Sequence, residues 1–384
     1  MIAPAAMRIE SHDLKAQYLA LKAEVDEAIT AVLRAGEFER GEELWRFEEE
    51  AAAYCGAAHG VGVGSGEAAL FLALRALQVG PGDEVVTVPN TDISTVAAIS
   101  HTGASPVFVD VDEQTHCIDV AAAEAALTSR TKAIVAVHLY GLPADLGRLV
   151  PAARARGVAV VEDAALAWGG ELDGRRVGGI GDVGCFSFAP HKILGAYGDG
   201  GLVVTQNADV ARAVRLLGGY GEPFRESMQG PDGTFTLLAE GYHSHLDLLQ
   251  AAVLRVKLRH VDRWIEARRR LASVYDEAFA GTPVRPSVPP SDATHVYRSY
   301  VVRVPERDRV RALLAEQGVE TLLLYVPPLH LQPVYESLEL RRGSFPVAER
   351  LADELLCLPL YPELPDDIVR EVAAATIDAV ERVS

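Results

Sequence analysis

The sequence predicts an α/β protein whose mostly parallel sheet is covered by helices, followed by a smaller C-terminal α+β unit. Two observations predict this architecture. Short β-branched runs alternate with helical stretches up to about residue 207, which is the order of elements in parallel sheets. The runs are almost wholly apolar, as expected for strands that are buried on both faces. The helices must therefore cover both sides of the sheet.

The predicted elements can be placed in order along the chain. Apolar residues recur at steps of three and four over residues 13–34, and a second helix is predicted over 44–54. A long periodic helix is predicted over 247–273, and a shorter helix over 307–317. Five strands are predicted before the long helix, at residues 84–88, 106–110, 133–137, 158–162 and 201–205.

A proline-rich connector, GTPVRPSVPPSDATH, follows the long helix and indicates a change of domain. We predict a large domain over residues 1–255, which includes the N-terminal helices, and a small domain over residues 256–384. The small domain should contain a strand in SYVVRV and a closing helix near the C terminus.

Composition limits the classes of function. The 384 residues include 36 Lys and Arg against 54 Asp and Glu, so the formal net charge is −18, which argues against a nucleic-acid partner. No apolar stretch approaches the roughly 18 residues that span a bilayer, so no membrane association is expected. Four scattered cysteines form no CxxC pair, and the N terminus does not resemble a signal peptide. We expect a cytoplasmic protein with reduced thiols and no metal site.

The glycine-rich segment GVGVGSGEAALFLAL, residues 60–74, allows three interpretations. It resembles a dinucleotide-binding fingerprint, although its glycines are poorly spaced for one and no ribose-binding acidic residue follows at the expected distance. The glycines could instead only allow close packing of a helix. The interpretation that we favour is a phosphate cup formed by the backbone of Ser65, Gly66 and Glu67 at a helix start.

A second motif is VAVVEDAALAWGG, in which an apolar strand ends at Asp163. Ligands of parallel sheets bind at the carboxyl ends of strands, so this carboxylate is a candidate binding group. The alternative is that Asp163 caps a following helix, as acidic residues often do.

Lysine is rare in this chain, and the position of one lysine is unusual. Only five of the 36 basic residues are lysines, and Lys192 lies in a glycine-rich turn after a strand-like segment, in CFSFAPHKILGAYGDGG. A lysine with a lowered pKa forms Schiff bases with carbonyls. A phosphate cup, a strand-end carboxylate and such a lysine are the three groups that pyridoxal 5′-phosphate (PLP) requires. Together they predict a PLP enzyme.

These motifs resemble a known family, the DegT/DnrJ/StrS sugar aminotransferases, which belong to fold type I of PLP enzymes (the aspartate aminotransferase superfamily). The resemblance extends over nearly the whole chain. It includes GPGDEVVTVP, GASPVFVDVD, RTKAIVAVHLYGLPADL, VVEDAA, FSF with Lys192 and GAYGDGG, LDLLQAAVLRVKL, PPLHLQPVY and LPLYPEL.

The resemblance implies a role for each matching residue. Lys192 would bond to the cofactor aldehyde and later move the proton, and Asp163 would pair with the pyridinium nitrogen. Ser187, with the backbone near Gly66 and Glu67, would hold the cofactor phosphate. The segment GYHSHLD, at 241–247, would complete the site of a neighbouring subunit, which implies a homodimer with its active site at the subunit interface.

Five positions differ from the family pattern around the cofactor. Leu166 stands where Gln is usual and Trp168 where His is usual, and Asp92 replaces an aromatic residue expected to stack on the ring. His243 and His245 stand where the neighbouring subunit usually supplies Asn and a basic residue. We interpret these differences as altered ring contacts in an active enzyme.

The activity implied is transfer of an amino group from glutamate or glutamine to a keto nucleotide-sugar such as dTDP-4-keto-6-deoxyglucose, in amino-deoxysugar biosynthesis. His245, Tyr325 and His330 are candidates for substrate contacts. An unperturbed His245 would titrate near pH 6.5, so the diphosphate should bind more weakly as pH rises from about 6 to 8.

Three alternatives to this activity remain open. A keto-cyclitol could be the acceptor, or the protein could be a PLP-binding regulator without turnover. The family also has a dehydratase branch that uses pyridoxamine phosphate (PMP) and has His in place of the lysine. His191 precedes Lys192 here, but Lys192 lies five residues after Ser187, where the aminotransferases have their lysine. Aminotransfer is therefore the favoured interpretation.

Overall fold

The computed structural model describes residues 8–221 and 237–383. The helices α1 to α12 and the strands β1 to β13 are numbered in chain order. The helices are Leu14–Ala35, Glu42–Tyr54, Gly66–Ala76, Ile93–His101, Val120–Ala125, Leu146–Arg154, Ala208–Gly218, Leu248–Leu258, Val261–Phe279, Arg307–Glu316, Pro346–Glu354 and Asp366–Glu381. The strands are His59–Val63, Glu84–Thr87, Ser105–Phe108, Thr131–Val137, Ala159–Asp163, Glu171–Leu172, Arg175–Arg176, Val183–Ser187, Gly201–Thr205, Arg285–Pro286, Ala293–Thr294, Tyr300–Arg303 and Leu355–Leu358.

Seven strands form the large sheet, in the order β1-β9-β8-β5-β4-β2-β3. The pairs β5·β8, β4·β5, β2·β4 and β2·β3 are parallel, whereas β9 runs antiparallel to both β1 and β8. All five predicted strands are present in this sheet, and β1 and β8 complete it. The prediction of a mostly parallel sheet with helices packed against it is confirmed.

The helix starts follow the capping chemistry of the sequence. Asp13 accepts a 2.8 Å hydrogen bond from the Ala16 amide at the start of α1, and Gly36 ends that helix in the left-handed conformation. Ser65, Asp92, Asp119 and Asn207 cap α3, α4, α5 and α7 in the same way.

The long helix predicted over 247–273 is instead two helices, α8 and α9, which are separated at Arg259 and His260. The two helices pack on different cores. The buried side chains of α8 join the core shared with the N-terminal helices, whereas the second half of α9 joins a separate core with β12, β13 and α12. A break between the helices lets one continuous apolar pattern fill both cores, so periodicity alone did not show it.

The C-terminal unit has a three-stranded antiparallel sheet, β10-β12-β13, packed against α9, α10 and α12. Ile9, from the opposite end of the chain, also lies in this core and forms a bridge with Val319. The domain division at residue 255 stays a prediction. No described helix is long and apolar enough to cross a membrane.

Candidate active site

Six of the seven strands end at one edge of the large sheet, and the main predicted site residues lie at or just after the ends of three of them, β1, β5 and β8. β5 ends at Asp163, and β8, which is parallel to it, ends at Ser187. Because β9 is antiparallel to both β8 and β1, β1 runs parallel to β8 and Val63 reaches the same edge. Ligands of parallel sheets bind at this edge. The fold therefore brings the proposed phosphate cup close to the strand-end aspartate.

The proposed phosphate cup is the start of α3. Ser65 is the N-cap, and its Oγ accepts a backbone hydrogen bond of 3.1 Å. A Cβ on Gly66 would lie 2.6 Å from the Cβ of Ser187, a separation that real Cβ atoms essentially never show. Glycine thus lets Ser187 approach the amides of the first helical turn, which have no intrahelical acceptor. The Glu67 carboxylate pairs with His101 Nδ1 at 3.3 Å, so the backbone amide of Glu67 is the part left for an anion.

The other glycines of this segment have a packing role. A Cβ on Gly60 would lie 2.5 Å from the Glu48 carbonyl oxygen, and one on Gly62 would lie 2.9 Å from Leu44 Cδ1. Both contacts are with α2. The close-packing interpretation therefore holds for Gly60 and Gly62, while Gly66 opens the cup.

Glu162 and Asp163 have different surroundings because consecutive strand residues point to opposite faces. Glu162 is fully buried, shares a 3.0 Å hydrogen bond with His138 Nε2, and accepts hydrogen bonds from three backbone amides within residues 178–181, at 2.6–2.8 Å. Both oxygens of this carboxylate are therefore occupied by hydrogen bonds within the chain. Asp163 is the one of the two that remains for a ligand.

Asp163 is 5% exposed and hydrogen-bonded on both oxygens. Oδ2 accepts a 2.7 Å hydrogen bond from Thr95 Oγ1, and Oδ1 accepts one of 3.2 Å from the Ala165 amide. Burial raises the pKa of Asp163, so a cation against this carboxylate would favour its ionised form. Turns and not a helix follow Asp163, so the alternative that it caps a helix is wrong.

Lys192 lies in the turn between β8 and β9, where its amide donates a 2.9 Å hydrogen bond to the Ala189 carbonyl. Burial, followed by the charge of Arg298, lowers the pKa of its amine to about 8, while Asp163 and Asp92 act in the opposite direction. The charges of Arg298, Asp163 and Asp92 therefore all act on this amine. A lysine with this pKa has a much larger neutral fraction near pH 7 than an ordinary lysine, as a nucleophile needs.

Lys257 is a second buried lysine, which nothing in the sequence around it distinguished from a surface lysine. Its side chain is fully buried on α8, and Nζ donates a 2.6 Å hydrogen bond to the Gly195 carbonyl. A Cβ on Gly195 would lie 2.3 Å from the Pro190 carbonyl oxygen, so this turn is tight. Lys257 therefore supports the turn that carries Lys192.

Tyr325 and Arg298 approach the cluster from the C-terminal part of the chain. The Tyr325 ring lies 6.1 Å from the Tyr140 ring, with 28° between their planes. Burial raises the pKa of Tyr325; Asp92 and Asp163 also raise it, and Arg298 opposes them. The same three charged groups, Asp92, Asp163 and Arg298, thus act on both Tyr325 and Lys192.

His330 has other contacts. It is 2% exposed, its Nε2 lies 3.0 Å from the Glu349 carboxylate, and its ring packs edge-on against Phe345. Glu349 belongs to α11 and also accepts backbone hydrogen bonds from Gly343 and Phe345. The structure favours a structural role for His330, and its predicted contact with substrate stays untested.

The pattern of residues and the order of strands agree with one family of enzymes. The sequence profile of the DegT/DnrJ/EryC1/StrS aminotransferase family matches residues 20–376. The chain belongs to this aminotransferase family.

Individual relatives cover almost the whole chain. A dTDP-3-amino-3,4,6-trideoxy-α-D-glucose transaminase from Streptomyces venezuelae is 43% identical over 374 residues, which are 97% of this chain and 95% of the relative. A pleiotropic regulatory protein from Geobacillus stearothermophilus is 42% identical, with 94% and 95% covered. The crystal structure of S. venezuelae DesV in complex with a ketimine intermediate superposes with a TM-score of 0.93 and 42% identity, and covers 98% of this chain and 100% of DesV.

PLP is the cofactor of this family, and similar structures have been solved with PMP bound. The dinucleotide interpretation of the glycine-rich segment is therefore wrong. The residues of the aminotransferase fit PLP. The helix start and Ser187 form a cradle that a Cβ on Gly66 would fill, Asp163 is a buried carboxylate that a pyridinium nitrogen would match, and Lys192 is a buried amine of lowered pKa.

The positions that differ from the family pattern have distinct surroundings. Leu166 and Trp168 are buried in the core, and the Trp168 ring stacks on Tyr54 at 5.3 Å with 9° between the planes. Asp92 caps α4 and accepts hydrogen bonds from the Ser94 amide, at 3.0 Å, and the Ser94 hydroxyl, at 2.7 Å. Trp168 thus contributes to packing, whereas Asp92 is part of the charged environment of Lys192.

The 241–247 segment packs beside the helix start in its own chain. Ser244 Oγ accepts a 3.0 Å hydrogen bond from the Gly64 amide, and His243 stacks on Tyr220 with centroids 5.2 Å apart. Burial, followed by Arg40, lowers the pKa of His245 to about 4. The expected titration of His245 between pH 6 and 8 is therefore wrong for the single chain.

Sequence reasoning missed three polar residues of the site region, Thr95, His138 and Arg298. His138 directly follows β4, so its place at a strand end was a usable signal. Thr95 becomes recognisable only when α4 and β5 are packed together. Arg298 is one of 31 arginines, which are the 36 basic residues less five lysines, so counting could not single it out.

The first prediction concerns Lys192. We expect the cofactor-free aminotransferase to take up PLP at a rate that rises with pH and levels off above about 8, because only the neutral amine attacks the aldehyde. An ordinary lysine would level off near 10.4. Stopped-flow absorbance gives the pH profile, and borohydride fixation with peptide mapping should find the label on Lys192. The exposed Lys132→Met variant is the control, and label on any other lysine would contradict the assignment.

The second prediction concerns Thr95. Thr95→Val removes the hydroxyl that donates to Asp163, and a hydrogen bond to a charged group contributes roughly 1.5–3 kcal/mol. We therefore expect PLP to bind about tenfold to a hundredfold more weakly, since the Asp163 carboxylate becomes harder to ionise. Thr95→Ser keeps the hydroxyl and should bind PLP like the unmodified protein. Equal affinities for the two variants, measured by fluorescence titration, would show that the hydrogen bond has no role.

Proposed function

We propose that this aminotransferase moves an amino group from glutamate or glutamine to the keto carbon of a nucleotide-linked deoxysugar, such as dTDP-4-keto-6-deoxyglucose, in amino-deoxysugar biosynthesis. One observation carries the proposal. A buried amine, a buried carboxylate and an anion-binding helix start converge at one sheet edge. They do so in a chain 43% identical to a dTDP-amino-sugar transaminase.

Each group has a defined part in the proposed reaction. PLP, when bound, supplies a ring that accepts the electrons of the bond broken at the donor carbon. Lys192, whose pKa is lowered to about 8, would take up the proton from the donor carbon and pass it to the aldehyde carbon of the cofactor near neutral pH. Asp163 would face the ring nitrogen, and the amides of Gly66 and Glu67 with the Ser187 hydroxyl would hold the phosphate.

The proposed oligomer is a homodimer with its active sites at the interface. Phe38, Tyr220 and Tyr242 are 47%, 51% and 44% exposed. They lie on neighbouring segments, because Arg40 acts on the pKa of His245 and Tyr220 stacks on His243. Exposed aromatic residues grouped in this way are typical of a surface that a second protein covers. We also propose a cytoplasmic location, with which the four buried, unpaired cysteines agree.

The third prediction separates the candidate functions through two half-reactions. Glutamate should convert the PLP form to the PMP form, with loss of the cofactor's long-wavelength absorbance. A nucleotide-linked keto-deoxysugar should then restore that absorbance. The acceptor panel should include 3-keto and 4-keto isomers, because the name of the S. venezuelae relative places the amine at carbon 3.

Other outcomes of this experiment favour the alternatives. Recovery with a free keto-cyclitol, and with no nucleotide-sugar, would favour the cyclitol aminotransferase. Stable PLP binding without conversion by any amino acid would favour a regulator, which is how the G. stearothermophilus relative is named.

The fourth prediction tests the dimer. Phe38→Asp places a charge on the proposed interface and should shift the protein from dimer to monomer in sedimentation velocity. Val288→Asp is the matched control, because Val288 is 72% exposed in the connector between α9 and β12 and lies outside the proposed interface. A monomeric unmodified protein with full activity would refute the shared active site.

A further inference from the structure

Two threonine hydroxyls form a buried chain that ends on Asp163. Thr95 Oγ1 donates a 2.7 Å hydrogen bond to Asp163 Oδ2, and Thr91 Oγ1 lies 2.8 Å from Thr95 Oγ1. The residues Thr91, Thr95 and Asp163 are 2%, 0% and 5% exposed, so all three lie away from solvent. Buried polar groups need partners within the protein. The carboxylate and the two hydroxyls supply them to one another.

The number of protons fixes the direction of both hydrogen bonds when Asp163 is ionised. A carboxylate only accepts, so the single proton of the Thr95 hydroxyl must point to Asp163. The Thr95 oxygen then offers only lone pairs, and the Thr91 hydroxyl must be the donor between the two threonines. Hydrogen bonds in such a chain polarise one another. Thr91 therefore makes Thr95 a stronger donor to the carboxylate.

The start of α4 holds the Thr91 hydroxyl in place. Thr91 directly precedes Asp92, the N-cap of α4, and Thr95 lies in the first turn of the helix. On the other side of Thr91, Asn90 is 4% exposed and its Nδ2 donates a 3.0 Å hydrogen bond to the His116 carbonyl. The backbone that carries Thr91 is thus anchored on both sides. Its hydroxyl is oriented before any ligand arrives, so no reorganisation is needed when Asp163 ionises.

The Thr95 hydrogen bond is the main contact that favours the charge of Asp163. Burial raises the pKa of this carboxyl, and the Thr95 hydroxyl opposes burial more strongly than the Ala165 amide or the charges of Lys192 and His138 do. A residue that strengthens this one hydrogen bond therefore acts where the ionised form of Asp163 gains most.

We propose that Thr91 is a positioning residue that acts through Thr95 to keep Asp163 in the ionised form that a protonated ring nitrogen of PLP requires. This inference rests on the proposed pairing of Asp163 with that nitrogen. The ring of PLP accepts electrons best while its nitrogen is protonated, and an ionised carboxylate beside the nitrogen favours that state. Thr91 would thus influence the cofactor across two hydrogen bonds without touching it.

The fifth prediction concerns Thr91→Val, which keeps the branched shape of the side chain and removes the hydroxyl. The Thr95 hydroxyl becomes a weaker donor, so PLP should bind about twofold to fivefold more weakly. Thr91→Ser keeps the hydroxyl and should bind PLP like the unmodified protein. Fluorescence titration of each cofactor-free protein with PLP gives the Kd values.

Thr87 provides a matched control. It is 0% exposed on β2, and its hydroxyl donates a 3.1 Å hydrogen bond to the Val135 carbonyl, away from the Asp163 chain. Thr87→Val removes a buried hydroxyl of the same kind, so it should lower the Tm about as much as Thr91→Val does. Its Kd for PLP should equal that of the unmodified protein.

A double-mutant cycle tests whether Thr91 acts through Thr95. In the Thr95→Val background, Thr91→Val should not weaken PLP binding further, because the hydroxyl that connects Thr91 to the carboxylate is already missing. An equal weakening by Thr91→Val in both backgrounds would mean that Thr91 acts by another route, and the proposal would be wrong.

A measurement on the cofactor-free protein tests the carboxylate directly. Infrared difference spectra should show the carboxylic acid band of Asp163, which is identified by its loss in Asp163→Asn. In Thr91→Val this band should disappear at a higher pH than in the unmodified protein, since a weaker hydrogen bond to the ionised form raises the pKa of Asp163. Thr87→Val should not move the transition. The measurement involves neither cofactor nor substrate, so it does not depend on the proposed aminotransfer.

Two results would overturn the proposal in distinguishable ways. An unmoved Asp163 transition in Thr91→Val, with a Tm lowered as in Thr87→Val, would make Thr91 a structural residue only. An Asp163→Asn variant that binds PLP as tightly as the unmodified protein would remove the proposed pairing with the ring nitrogen, and the role of Thr91 toward PLP would fall with it.

Discussion

The site depends on the close approach of two backbones, the start of α3 and the end of β8. There is no room for a side chain at Gly66, which faces Ser187, or at Gly201, where a Cβ would lie 2.1 Å from the Ser65 carbonyl oxygen. Strand β9, which begins at Gly201, is thereby held against the first turn of the helix. A cup made of amides and one hydroxyl forms because glycine occupies both positions. Any larger residue at either would separate the helix from the sheet.

The site also concentrates buried charge, and the fold stabilises it unevenly. Glu162 accepts hydrogen bonds from three amides and shares one with His138, and Lys257 donates to a backbone carbonyl. These groups hold the strand end and the turn in place. Asp163, Lys192 and Arg298 have fewer partners than Glu162, and burial shifts the pKa of each toward its neutral form, as it also does for Lys257. Such incomplete compensation is typical of groups that receive their partners from a ligand.

The sequence predicted the large sheet and its central residues because these features are local. Each strand is a continuous apolar run, and Lys192 and Asp163 are recognisable from the segments around them. The features it did not predict depend on packing between distant segments. The break between α8 and α9 depends on the packing of the two helices on different cores. The burial of Lys257 depends on the turn at Gly195, whose carbonyl accepts its hydrogen bond. The contact of Thr95 with Asp163 depends on the packing of α4 beside β5. The partner of His330, Glu349, lies 19 positions away on another helix, so the sequence did not show this contact.

The break between α8 and α9 has a consequence for how such a site can diverge. Glu24 of α1 contacts both residues of the break, Arg259 at 2.9 Å and His260 at 3.0 Å. Before the break the chain packs with the elements that carry Lys192, and after it the chain enters the core beside Arg298. The turn that carries Lys192 and the strand that follows Arg298 therefore belong to parts that pack around different cores. Substitutions in one part can accumulate under selection for a new substrate while the other part keeps its ancestral chemistry.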